Sequence, residues 1–177
     1  MSEFQSRMPA TWRLRTRSLE LGRRTLVMGA VNITADSFSD GGRFLDPQAG
    51  VARAIELLEE GADLIDLGAE STRPGSRAGL LNSPAVSADE EQARLLPVIR
   101  GILAARPDAI LSVDTYKSAT ARAAVEAGVE IVNDVSGLTW DAEMAGVCAE
   151  LQPGLILMHT RGRPEEWRTQ PKLAARD

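Results

Sequence analysis

The chain has 177 residues, 44% of them hydrophobic, with 20 basic and 25 acidic side chains and a net charge of -5. That is the make-up of a soluble globular protein of about one domain with a sizeable core, and its acidic balance excludes a nucleic-acid or anionic-membrane binder, which relies on clustered Lys and Arg. One cysteine, Cys148, cannot form an internal disulfide, no stretch reaches the ~18 apolar residues of a membrane span, and the start of the chain has no signal-peptide core, so the expected setting is the cytoplasm.

Residues 1–10 read as a flexible N-terminus and 11–177 as a single domain. Trp12 to Arg17 alternates polar and apolar side chains and Leu19–Gly22 follows, the pattern of a β-hairpin with one solvated face carrying its arginines. From Thr25 a rhythm begins. A short apolar strand over Thr25–Asn32 is followed by a long polar loop, VNITADSFSDGG, and a helix over Pro47–Glu60 that Gly61 stops. Strands over Asp63–Gly68, Ala109–Asp114, Val129–Asp134 and Gly154–His159 alternate with helices over Ser87–Ala105, Ser118–Ala127 and Ala142–Leu151. Ser87 and Glu90 have the spacing of a capping box.

Apolar strands alternating with amphipathic helices build a parallel sheet covered on its faces. A doubly wound open sheet and a (β/α)8 TIM barrel both satisfy this, but the first strand-to-helix turn has no G-x-G-x-x-G. Instead, polar residues end strand after strand: Asn32, Glu70-Ser71-Thr72-Arg73, Asp114, Asn133 and His159. In a barrel such positions ring one mouth. The fold class is therefore α/β, a (β/α)8 barrel of which about the first five βα units are present after a short hairpin. A full barrel takes ~250 residues, so the chain is expected to be part of a longer protein.

The segments VMGAVNITADSFSDGG, DLIDLGAESTRPGS, ILSVDTYKS, EIVNDVSG and LILMHTRGRP, in this order and one per βα unit, resemble the signature segments of dihydropteroate synthases, over about Thr25 to Pro171. The resemblance implies a barrel that joins 4-aminobenzoate to 6-hydroxymethyl-7,8-dihydropterin diphosphate with help from Mg2+, releasing diphosphate and the folate precursor dihydropteroate. It also makes a homodimer the expected assembly of the full-length protein, with neither nucleic acid nor membrane as partner.

Asn32 offers a carbonyl oxygen to a hard cation and an amide to phosphate oxygens, and Mg2+ commonly takes only one or two protein ligands when substrate supplies the rest. The resemblance gives it the metal and diphosphate role; the plainer alternative is a turn cap. The loop after it suits a lid over diphosphate, and the resemblance places Asp36, Ser37 and Phe38 near the aminobenzoate. Ala35 departs from the proline usual there, which loosens the loop. Arg73 can bind phosphate bidentately, or be an exposed turn charge; the resemblance assigns Thr72 and Arg73 to the diphosphate end and Pro74 to the aminobenzoate ring. Asp114 can accept two hydrogen bonds from a pterin edge and Asn133 can both donate and accept. Both match the family's pterin-holding residues. A purely structural Asp114 would need a salt bridge, with Lys117 or Arg122 as partner. Asp134 faces the other side of its strand and reads as structural. Met158 is expected to pack on the pterin, His159 to be a hydrogen-bonding strand-end residue, and Arg161 and Arg163 to be solvated. Catalysis would rest on Asn32, Arg73 and Asp114 through charge stabilisation and positioning.

In the family, later strands add an Asp, a Lys, a Ser and an Arg-His pair that have no place in these 177 residues. The chain alone is thus expected to be unstable or inactive. A pterin-dependent methyltransferase domain would share Asp114 and Asn133 without needing the SFSDGG and STRPG loops, and a non-catalytic fragment would keep only the fold.

Overall fold

The computed structural model describes residues 8–33, 46–70 and 86–163, together with residues 166 and 169. Five strands form one parallel sheet in the order of the chain: β3 (Met28–Asn32), β4 (Leu64–Gly68), β5 (Leu111–Asp114), β6 (Ile131–Asp134) and β7 (Gly154–Leu157). A doubly wound sheet reverses its strand order at a switch point. This one never does. Successive neighbours throughout, each reached by a helical crossover, are the winding of a barrel.

The crossovers are α1 (Pro47–Glu59), α2 (Ala88–Ala105), α3 (Ser118–Glu126) and α4 (Met144–Leu151). Local chemistry sets the first two starts. Asp46 caps α1 by accepting from Gln48 N–H at 2.9 Å with Pro47 next in line, and Ser87 Oγ caps α2 by accepting from Glu90 N–H at 3.1 Å. Gly61, at φ +107°, provides the left-handed step that follows α1.

Alternation along the strands separates two apolar layers. Val31, Ile65, Leu67, Leu111, Val113 and Val132 face outward and pack with Ala54, Leu95, Val98, Ile99, Ile102, Ala121, Ala124 and Val125 of the helices. Cys148 belongs to this buried layer as an ordinary small side chain. Helix α1 lies so close to α2 that a Cβ on Gly101 would stand 2.6 Å from Val51 Cγ2. The inward face carries a smaller cluster, Leu14, Leu64 and Ile131, with Trp12, Leu19, Leu26, Ile110 and Ile156 packed on it.

That second cluster belongs to the N-terminal hairpin, β1 (Ala10–Arg13) paired antiparallel with β2 (Ser18–Leu21). It plugs the N-terminal end of the sheet, with Leu14 Cδ2 2.6 Å from the place a Cβ on Gly154 would occupy. Here the structure corrects two expectations. The first strand begins at Ala10, inside the segment read as flexible. Residues 14–17 are the hairpin turn, closed by Leu14 N–H to Arg17 O at 2.8 Å, rather than a continuing strand. Arg13, Arg15 and Arg17 are exposed, as expected of a solvated face. The Arg15 and Arg17 guanidinium groups also donate to Val125 O and Asp108 O, each at 3.0 Å, because the bottom of the barrel exposes carbonyls that need donors.

Glu130 anchors the hairpin from below. Its buried carboxylate accepts from Thr16 N–H at 2.9 Å and from the Thr16 hydroxyl, and pairs with Arg17 Nε at 3.4 Å. Glu130→Ala leaves those donors unsatisfied and is expected to cost about 1–3 kcal/mol. Limited trypsin digestion should then cut at Arg15 or Arg17 much faster than in the unaltered chain.

Among the described residues, β3 and β7 have a sheet neighbour on one side only. Accordingly Val27, Met28, Leu155 and Leu157 are exposed apolar side chains, whereas β4 is buried along its whole length.

Candidate active site

The parallel register places four residues on one rung. Asn32 on β3 pairs with Gly68 on β4, Gly68 with Asp114 on β5, and Asp114 with Asn133 on β6. Paired residues of parallel strands point to the same side of the sheet, so Asn32, Asp114 and Asn133 all face inward at the carboxyl ends. Gly68 is the gap in the row. A Cβ there would lie 3.5 Å from Asp114 Oδ2 and 3.7 Å from Asn32 Oδ1, so both oxygens converge on the space above it. The structure thus brings together the three strand-end groups singled out in the sequence.

The rung beneath is polar as well. Asp66, on β4 opposite Ala30 and Ser112, is 8% exposed. Asn133 Nδ2 donates to Asp66 Oδ2 at 3.0 Å. Burial lifts the Asp66 carboxyl above the ordinary range, while the nearby Ser112 hydroxyl and the Asn133 amide pull it back. Ser112 Oγ faces it without a hydrogen bond of normal geometry, and Asp66 Oδ1 and Asp114 Oδ1 are buried with no partner among the described residues.

Asp114 is raised much further, to about 7, by burial first and then by the negative charges of Asp66, Glu91 and Asp134, with Lys117 opposing. Neither cation expected as its salt-bridge partner takes that place. Lys117 is held between Glu70 Oε2 at 2.5 Å and Glu91 Oε1 at 3.3 Å, and Arg122 pairs with Glu150 and Glu126. An inward-facing carboxyl with one oxygen buried, unpartnered among the described residues and without a cation is a candidate functional group. Asp134, in contrast, commits both oxygens to the turn after β6, accepting from Ser136 N–H at 2.7 Å and Leu138 N–H at 2.9 Å.

Met158 and His159 follow β7 as exposed residues, and Met158 N–H binds Asp134 O at 3.1 Å. Asp36, Ser37, Phe38, Thr72, Arg73 and Pro74 lie outside the described residues, as does Ala35. Arg163 is not the solvated side chain expected. It donates to Trp140 O at 2.9 Å and lies 5.9 Å from the Trp140 ring, because the indole gives its planar cation a surface to cover. Asp66 escaped the sequence reading, although DLIDLG carries a signal: a charge in mid-strand, two residues before an inward-facing strand end.

No group of three or more His, Cys, Asp or Glu residues is arranged to hold a metal among the described residues. A hard cation that takes most of its ligands from phosphate and water needs less, and Asn32 Oδ1 is a suitable oxygen for one.

An amide, a gap, a carboxyl and a second amide thus stand side by side along one barrel rim, a row of hydrogen-bonding groups facing inward. Comparison with known proteins identifies the family. The family model described as "Pterin binding enzyme" matches residues 28–177, and the chain belongs to that family. It is 44% identical over 144 residues to the dihydropteroate synthase of Bacillus subtilis, a match that covers 81% of this chain and 48% of the relative. It superposes with a TM-score of 0.75 and 42% identity on Xanthomonas albilineans dihydropteroate synthase solved with 4-aminobenzoic acid, covering 88% of this chain and 53% of that one. The same enzyme in complex with 7,8-dihydropteroate gives a TM-score of 0.70 at 38% identity, covering 86% and 52%. The chain spans about half the length of the relatives it matches. Among the described residues no helix is long and apolar enough to cross a membrane.

Proposed function

We propose that this chain forms the pterin-holding side of a dihydropteroate synthase, in which 4-aminobenzoate displaces diphosphate from (7,8-dihydropterin-6-yl)methyl diphosphate to give 7,8-dihydropteroate. The observation that carries this reading is the shared rung of Asn32, Asp114 and Asn133 around the gap at Gly68. Asp114 and Asn133 hold the heterocycle through its N–H edge, and burial strengthens each hydrogen bond by excluding water. That grip fixes the reactive methylene relative to the incoming amine. Asn32 stands at the side where the diphosphate lies and would hold Mg2+ there, an ion that supplies charge stabilisation to the leaving oxygens. Thr72 and Arg73 act on the same diphosphate, while Asp36, Ser37, Phe38 and Pro74 border the aminobenzoate. Met158 and His159 complete the rim next to the pterin. The similar structures solved with 4-aminobenzoic acid and with 7,8-dihydropteroate support this substrate pair. The setting is cytoplasmic, in keeping with a single buried thiol, and the full-length enzyme is a homodimer.

The test is calorimetric titration of the chain, and of the full-length enzyme, with (7,8-dihydropterin-6-yl)methyl diphosphate and Mg2+. Saturable binding is expected, and Asn133→Ala should weaken it by about tenfold or more, the loss of one or two buried hydrogen bonds. Affinity should also rise on the order of tenfold from about pH 6 to pH 8 as Asp114, held at about 7, becomes a full acceptor. Absence of any heat of binding in the full-length enzyme sinks the reading.

A further inference from the structure

Asp66 lies one rung below the mouth and is almost wholly buried, yet no cation pairs with it among the described residues. Stability does not explain it, since a buried carboxyl with one oxygen unpartnered is destabilising. Its hydrogen bond runs to the site: Asn133 Nδ2 donates to it at 3.0 Å. The oxygen and nitrogen of an asparagine amide are nearly the same size, so sterics alone leave its two orientations close in energy. A carboxylate decides between them, because it only accepts. With Nδ2 held down by Asp66, the planar amide turns Oδ1 the other way, toward the mouth.

We propose that Asp66 is a positioning residue that fixes the Asn133 amide with its carbonyl oxygen facing the ligand, so that the mouth presents two neighbouring acceptors, Asn133 Oδ1 and the Asp114 carboxylate, and selects a ring edge carrying N–H donors. The identity of that ring as a pterin rests on the reading above; the orientation of the amide does not. Without Asp66 the amide samples both faces, and in its flipped arrangement an N–H meets the ligand's N–H. A site that loses its polarity rejects the right edge more strongly than it gains any other.

Five chains decide this: Asp66→Ala, the near-isosteric Asp66→Val, Asp66→Asn, which can donate as well as accept, Asn133→Ala, and Asp66→Ala combined with Asn133→Ala. The amide spectrum is read in the chains that keep Asn133, the titration in all. In 15N-labelled protein, the Asn133 side-chain amide should shift and exchange faster in Asp66→Ala and Asp66→Val, and to a smaller degree in Asp66→Asn. In titrations with 6-hydroxymethylpterin, the first two should bind about tenfold or more weakly with undiminished thermal stability. Asp66→Asn should fall between them and the unaltered chain, and Asp66→Ala should add nothing to Asn133→Ala. An Asn133 amide unchanged in both apolar variants overturns the proposal, as does a pterin loss of equal size with and without Asn133. If neither the unaltered chain nor the full-length enzyme binds pterin, the functional reading fails, while the amide spectrum by itself still upholds or overturns the role of Asp66.

Discussion

Asp114→Asn is expected to make the folded chain more stable near neutral pH while weakening its hold on the pterin by about tenfold to a hundredfold, the value of a charge-assisted hydrogen bond. The gain follows from a carboxyl held at about 7 rather than at its ordinary 3.8. Burial, then the charges of Asp66, Glu91 and Asp134, oppose its ionisation. Between roughly pH 4 and pH 7 the folded chain keeps a proton that the unfolded chain has released, so stability falls as pH rises through that window and levels off above it. A shift of that size corresponds to about 4 kcal/mol, which an amide escapes because it never ionises. Urea unfolding should therefore show the variant ahead near pH 8, with the lead shrinking to nothing near pH 4. Parallel curves at both extremes would mean that Asp114 is ordinary and that its burial serves no ligand.

Lys117→Met is expected to have the opposite effect, a loss of about 3–5 kcal/mol, because it strands two buried acids. Glu91 on α2 is 1% exposed; it accepts from Thr115 Oγ1 at 2.9 Å and faces Lys117 Nζ at 3.3 Å. Glu70, just past β4, accepts from the same ammonium and from Tyr116 OH at 3.0 Å. The ammonium also stands 4.3 Å from the centre of the Tyr116 ring, which meets Trp140 edge-on. Burial disfavours the Lys117 charge most, but Glu91 and Glu70 together lift it above the usual lysine value. Its contribution is thus full at neutral pH and fades only when alkali titrates it past that raised value. Adding Glu91→Gln to Lys117→Met should restore part of the loss in chemical denaturation. If Lys117→Met alone costs less than about 1 kcal/mol, water rather than lysine compensates these acids.

The elements were legible because each carries its own local signal. Pro47 and Ser87 mark helix starts, glycines mark stops, and the apolar runs of the sheet need no tertiary knowledge to be seen. Strand ends came out shorter than their apolar runs: the run from Thr25 becomes a strand only at Met28, and the run to His159 stops at Leu157. Pairing with a neighbour, not hydropathy, decides where a ladder begins. The convergence of Asn32, Asp114 and Asn133 was legible too, since a parallel sheet wound in one direction brings strand ends together. What stayed hidden were the partners of charges. Nothing in the spacing says that Lys117 serves Glu70 and Glu91, that Arg15 and Arg17 reach carbonyls beneath the sheet, or that Asp66 lies under Asn133. Those are choices made across distances of 26 to 110 residues in the chain. The roles of Asp36, Ser37, Phe38, Thr72, Arg73 and Pro74 fall on residues outside those described.

A site written along a single rung takes its accuracy from the ladder rather than from the connections. Lengthening a turn that leads into a strand, at the end of the sheet away from the site, leaves Asn32, Asp114 and Asn133 where they are. Sliding β5 by one position would instead swap Asp114 for Val113, sending an acid into the packed helices and a methyl group to the inward face. Change in this protein is therefore tolerable in the turns at that far end and ruinous within a handful of strand positions.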